Sequence, residues 1–160
     1  MDTHEMDTHE KLMQQAIQVA EDAYRKGCPP YGVVIVQNGS IIGRGYNCVE
    51  MENDPTAHSE VQAIRDACRS WGHIDLAGCD LYTVYEPCQM CAAAIVWARI
   101  ETVYIGARNA AFGAAISTSP TTFETMKNIH PVKVVSGILT DECQSLIARV
   151  RQKAASDGGA

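Results

Sequence analysis

Leu81-Tyr82-Thr83-Val84-Tyr85-Glu86-Pro87-Cys88-Gln89-Met90-Cys91 is followed, after a run that includes Ala94, Ile95 and Ala98, by Thr102-Val103-Tyr104-Ile105. Leu81 to Tyr85 is dense in aromatic and β-branched side chains and reads as a strand. Pro87 suits the opening of a helix, whose inner side takes Ala94, Ile95 and Ala98. Thr102 to Ile105 then returns as a second strand. A strand, helix and strand joined this closely form a unit whose strands pair in parallel, with Cys88 and Cys91 at its first turn.

The flanking sequence extends the same plan. Upstream, Leu12, Ala16, Val19, Ala20 and Ala23 recur at helical spacing until Gly27 and Pro29-Pro30 stop the helix. Val33 to Gln37 and Ile41 to Gly45 flank Asn38-Gly39 and read as a hairpin. A second helix starts near His58, with Ala57, Val61, Ile64 and Cys68 as its apolar stripe. Downstream, Phe123 and Met126 offer an apolar side for a crossover to a fifth strand at Val132 to Val135, parallel to the fourth. Thr140-Asp141-Glu142 opens a last helix that buries Cys143, Leu146, Ile147 and Val150. The expected fold is a three-layer α/β/α domain over residues 11–153 with a five-stranded mixed sheet. Residues 1–10 duplicate one pentapeptide, too short and polar to pack as a repeat, and are expected to be a disordered tail in which His4 and His9 are mobile; 154–160 are expected to be flexible.

Chemistry concentrates in two short runs. His58 of Thr56-Ala57-His58-Ser59-Glu60 lies thirty residues before Cys88 of Pro87-Cys88-Gln89-Met90-Cys91. One imidazole and two thiolates suit Zn²⁺, and three protein ligands leave a fourth tetrahedral position for water. Bound zinc lowers the pKa of that water to about 7, so hydroxide is available, and Glu60 stands close in sequence as a proton shuttle. Two residues on from His58, it is not expected to ligate the metal. Other readings of the Cys-x-x-Cys run stay open. A redox pair also uses a helix N-terminus, but it gives His58 and Glu60 no part. A structural zinc site needs a fourth ligand, and His73 and His130 lie in loop-like stretches without companions.

Composition agrees with one enzyme domain. The chain has 160 residues, 46% of them hydrophobic, and a formal charge of −6 without any Lys/Arg run, which argues against a high-affinity polyanion partner. Seven cysteines, an odd number, in a chain without signal peptide or membrane span point to a reducing cytoplasm rather than a disulfide framework. Cys28, Cys48, Cys68, Cys79 and Cys143 read as ordinary thiols.

His-x-Glu with a distant Pro-Cys-x-x-Cys is the general signature of zinc nucleobase deaminases, and on these residues the chain resembles the cytidine deaminase superfamily from about Leu12 to Val150. Asn53 to Arg65 is especially similar to bacterial guanine deaminases, with Ser59 where Ala is usual. The resemblance implies a cytidine deaminase-like fold, one Zn²⁺ per subunit held by His58, Cys88 and Cys91, catalysis through Glu60, and a homodimer. It carries a base-contacting Asn onto Asn47, a pocket Phe onto Tyr31 and a pocket Trp onto Trp97. Ala57 and Glu86 are counted with these on the substrate side. Taken alone, Tyr31 and Trp97 read equally as core or interface aromatics, and Asn47 as a turn residue.

The last third departs from guanine deaminases, which carry an acidic run after strand four; here it is Ala111-Phe112-Gly113-Ala114-Ala115-Ile116-Ser117. That stretch, and Val134 to Cys143, look more like tRNA-specific adenosine deaminases. Those enzymes commonly have Lys-Thr where this chain has Ala111-Phe112, and a ring in place of a cation favours a small free substrate. The expected activity is hydrolytic removal of an exocyclic amine from a nucleobase or nucleoside, guanine-like purines first. The alternatives, in order, are a tRNA-specific adenosine deaminase, an enzyme for cytosine or another aminated heterocycle, and a noncatalytic zinc-binding module.

Overall fold

The computed structural model describes the chain from Thr3 to Asp157. The hairpin forms as its turn chemistry requires. β1 (Gly32–Gln37) and β2 (Ser40–Tyr46) are antiparallel, and Asn38 and Gly39 between them both take positive φ, 48° and 79°. β3 (Asp80–Tyr85) lies antiparallel to β1 and parallel to β4 (Thr102–Ala107), which pairs in parallel with β5 (Lys133–Ser136). The sheet order is β2-β1-β3-β4-β5, the five-stranded mixed sheet expected.

Strand alternation sorts the core into two halves. Val33, Ile35, Leu81, Val103 and Ile105 face α3 (Ser59–Trp71) and α4 (Gln89–Ala98). Val34, Val36, Tyr82 and Val84 face α1 (Thr3–Arg25) and α6 (Thr140–Asp157). Two short helices, α2 (Val49–Glu52) and α5 (Thr122–Thr125), sit in connections. The crossover to β5 is thus mostly loop around one capped turn, with Thr121 and Glu124 forming a reciprocal capping box.

Three expectations change. α1 begins at Thr3, within the duplicated pentapeptide expected to be a tail; Met1 and Asp2 lie outside the described residues. Further along the same helix a long-range contact fixes His9: its Nδ1 is 2.6 Å from the Tyr82 hydroxyl and its ring stacks on Tyr104 at 4.4 Å. α6 likewise runs through Asp157 into the stretch expected to be flexible, and 158–160 lie outside the described residues. The buried stripe of α3 is Ala63 and Ala67, with Ile64 and Cys68 only partly buried. The cause is close approach: a Cβ on Gly45 would meet the Ser59 carbonyl and the Ala63 amide, and one on Gly43 the Ala67 side chain. Only small side chains fit between α3 and β2, and this seats the start of α3 firmly against the sheet.

Candidate active site

Both ligand runs sit at helix beginnings. His58 is the N-cap of α3, with extended backbone (φ −69°, ψ 159°), and its carbonyl accepts from Gln62 N–H at 2.9 Å. Cys88 is the N-cap of α4 (φ −73°, ψ 178°), directly beyond β3, and Cys91 follows in the first turn. The approach to His58 is stiffened by Asp54, whose carboxylate accepts from the Thr56 N–H at 2.8 Å and hydroxyl at 2.6 Å. Ala57 is fully buried there, and its carbonyl accepts from Cys48 N–H at 2.9 Å.

His58 Nδ1 lies 3.6 Å from Cys88 Sγ and 3.5 Å from Cys91 Sγ. A nitrogen and a sulfur bound to zinc at about 2.1 and 2.3 Å across a tetrahedral angle stand about 3.6 Å apart. The three donor atoms all lie within 4.8 Å of one another, and no fourth His, Cys, Asp or Glu joins them among the described residues. The charges agree with this geometry. Hydrogen bonds from the Cys91 thiol and amide, with His58 alongside, bring Cys88 down to about 5 despite burial, while the Cys88 sulfur, burial and Glu60 push Cys91 up. The sulfur pair holds one negative charge unaided; a dication stabilises the second. The donor set fits Zn²⁺.

Glu60 is 6% exposed, and burial raises its carboxyl, with the Cys91 sulfur pulling partly back. Its Oε1 lies 3.2 Å from Thr83 Oγ1. That hydroxyl donates to Glu60 and also lies 2.7 Å from the Tyr85 carbonyl, and its bond to Glu60 offsets the effect of burial only in part. Glu86 is 2% exposed, yet burial does not win there: the Ser117 hydroxyl and the N–H groups of Ser117, Ile116 and Asn109 hold its carboxyl below the usual range.

A cavity of about 560 Å³ opens over these groups, and its lining includes His58, Glu60, Cys88, Tyr31, Asn47 and Phe112. Of the residues expected from sequence on the substrate side, Tyr31, Asn47 and Glu86 line it. Trp97 and Ala57 do not; Trp97 is 67% exposed on the outer face of α4. Asn47 Oδ1 accepts from Val49 N–H at 3.1 Å, which turns its amide nitrogen into a fixed donor. Sequence reading missed Thr83 beside Glu60 and the loop residues Asn109 and Thr118, while Phe112, whose ring was read as favouring a small substrate, lines the cavity. One signal pointed to the loop, since ligand sites in α/β sheets gather beyond the carboxyl ends of parallel strands and Asn109 lies just past β4.

Three donors that would hold a zinc ion, with no fourth His, Cys, Asp or Glu beside them among the described residues, and a buried acid on the wall of the same cavity make a centre fit for zinc-dependent hydrolysis. Residues 6–107 match the family described as the cytidine and deoxycytidylate deaminase zinc-binding region. The chain belongs to that family and, with it, to the zinc enzymes that hydrolyse C–N bonds of nucleobases and nucleosides. It is 38% identical over 143 residues to a tRNA-specific adenosine deaminase of Bacillus subtilis, covering 89% of this chain and 88% of that one. It is 46% identical over 102 residues to a guanine deaminase of the same organism, covering 63% and 65%. Among solved structures, one from a study of A-to-I editing by tRNA:A34 deaminases superposes with TM-score 0.78 at 38% identity, over 85% of this chain and 98% of that chain. The guanine deaminase of Bacillus subtilis superposes with TM-score 0.62 at 44% identity, over 66% and 71%.

Proposed function

We propose that this enzyme deaminates a free aminated nucleobase or its nucleoside, guanine-like purines first, with Glu60 as the proton carrier. The observation behind this reading is the cavity: it places His58, Cys88 and Glu60 on its wall and, among the described residues, has no Lys or Arg in its lining to hold a phosphate chain. Zinc bound by His58, Cys88 and Cys91 supplies Lewis-acid activation of a water molecule at neutral pH. Glu60, whose burial favours its protonated form, would take one proton from the attacking water at a carboxylate oxygen and give it to the ring nitrogen, then take the second from the hydroxyl left on the carbon and give it to the departing amine as the C–N bond breaks. Asn47 donates from its amide to an acceptor on the ring edge, and Tyr31, stacked on Tyr85 at 5.4 Å, closes one side. Ammonia and the oxo-substituted ring are the products.

A second reading is supported by the similarity to tRNA-specific adenosine deaminases, which extends over nearly the whole chain. The same experiment separates the two: ammonia release from guanine, guanosine, adenine, adenosine, cytosine and a tRNA anticodon stem-loop at low and high salt. The first reading expects turnover of a free base or nucleoside that is insensitive to salt. Turnover of the stem-loop alone, falling steeply as salt rises, would replace it with the second. Exposed Trp97 and Met90 on α4 support a homodimer through that helix, and the two thiolate ligands with five further free thiols support assignment to the reducing cytoplasm.

A further inference from the structure

Both oxygens of Glu86 are taken by the loop that follows β4. Oε1 accepts from Asn109 N–H at 3.1 Å and from the Ser117 hydroxyl at 2.6 Å. Oε2 accepts from the N–H groups of Ala115, Ile116 and Ser117 at 3.2, 2.8 and 3.0 Å. One buried carboxylate thus pins the loop at its beginning and its end, and the span between them projects as a tip. Asn109 stiffens that tip: its side-chain oxygen accepts from Phe112 N–H at 3.0 Å and its carbonyl from Gly113 N–H at 2.8 Å. Ala114 N–H adds a bond to the Pro87 carbonyl at 2.9 Å. Gly113 lies so close that a Cβ there would strike the Glu86 carboxylate. At the tip stands Phe112, 73% exposed and lining the cavity beside Ala111. With its backbone fixed by these bonds, the exposed phenyl ring in the cavity lining is placed to stack on a planar occupant.

We propose that Glu86 is a positioning residue whose carboxylate, by pinning loop 109–117 at both ends, holds Phe112 as the aromatic platform against which the planar substrate ring closes. The pinning stands on the hydrogen bonds; the identity of the occupant rests on the deaminase reading above. Phe112 is then the specificity-determining side chain, and Glu86 acts through it without touching the reacting atoms.

The test uses the zinc-loaded enzyme, steady-state kinetics on its best substrate from the panel above, and amide hydrogen exchange. Phe112→Ala should raise KM roughly tenfold with kcat changed by less than about threefold, the size of one lost base–aromatic stack, and Phe112→Tyr should restore KM. Glu86→Gln, which turns amide hydrogens toward N–H donors, should raise KM at least as much and speed exchange at Ala115, Ile116 and Ser117 while β3 and β4 keep their protection. Ser117→Ala removes one hydroxyl donor, disturbs folding least, and should show the same pattern more weakly. An unchanged KM in Phe112→Ala overturns the proposal, and so does loop exchange unaltered in Ser117→Ala and Glu86→Gln. Should Phe112→Ala split a dimer and leave KM alone, the ring covers a protein partner and the proposal is likewise overturned. A parent enzyme that releases ammonia from nothing in the panel overturns the deaminase reading instead, and loop exchange then decides the pinning alone.

Discussion

Glu60 and Glu86 are both buried glutamates two residues from a metal ligand, one just after His58 and the other just before Cys88, yet their surroundings differ in kind. Glu86 sits among five donated hydrogen bonds that hold it ionised and fixed. Glu60 has the Thr83 hydroxyl as a donor at 3.2 Å, and burial outweighs it to favour the protonated form. A buried carboxylate whose donors outweigh burial is an anchor for backbone, whereas one for which burial outweighs its donors can take up and release a proton. The two acids of this site therefore divide its work: one shapes the cavity and the other serves the chemistry.

The comparison breaks most completely if the metal goes. Cys91→Ala should abolish zinc retention and bring ammonia release to background, measured by metal analysis and a coupled ammonia assay. A variant that kept stoichiometric zinc would mean that another side chain ligates. Glu60→Gln keeps shape and removes the proton carrier, so kcat should fall by about 10²–10⁴ with zinc content unchanged. If activity survived within a few-fold of the parent, Glu60 would be only another anchor. Gly45→Ala pushes the start of α3 from β2 and so moves His58 and Glu60 while sparing Glu86. Overpacking of this kind costs about 1–3 kcal/mol, visible as a lower Tm together with weaker zinc binding. Thr83→Val sharpens the contrast by removing the hydroxyl that donates to Glu60; a loss of about 1 kcal/mol in transition-state stability, roughly fivefold in kcat, is expected. Wild-type kcat in this variant would show that burial alone prepares Glu60.

Asp80, at the opposite end of β3, supplies the smallest effect. Burial, then the Glu101 charge, raises its carboxyl above the ordinary value of 3.8. A carboxyl raised by folding favours the native state in its protonated form, so this contribution is complete below the unfolded value and is lost as pH rises through the folded one. Asp80→Asn should therefore raise Tm slightly at neutral pH, by no more than about 1 kcal/mol in stability for a partly exposed group, and leave it unchanged below about pH 4. A gain of the same size at both pH values would assign the effect to packing.

Much of this arrangement is legible in the linear sequence because it is local. The strand running into Pro87-Cys88, the Asn38-Gly39 turn and the His58-Ser59-Glu60 run each signal through neighbouring residues, and each forms as expected. What stayed hidden depends on partners far along the chain. His9 meets Tyr82, 73 positions away, so its fixed place in α1 could not be read from its polar pentapeptide. Glu86 finds its donors 23 to 31 residues later, so the sequence could count it on the substrate side but not show the loop it holds. Ala63 and Ala67 replace the larger side chains on the buried face of α3 because Gly43 and Gly45 on β2 leave room for nothing else. Trp97 has the chemistry of a pocket wall, but two turns of α4 carry it to the outer face, beyond the cavity of its own chain.

X-ray absorption at the zinc edge of the purified enzyme tests the centre directly. Two sulfur scatterers at about 2.3 Å and two nitrogen or oxygen scatterers at about 2.0–2.1 Å, one of them an exchangeable water oxygen, are expected for a catalytic site built from one imidazole and two thiolates. A third sulfur, or a second imidazole in place of the oxygen, would make the site a closed structural one and leave Glu60 without a reaction to serve.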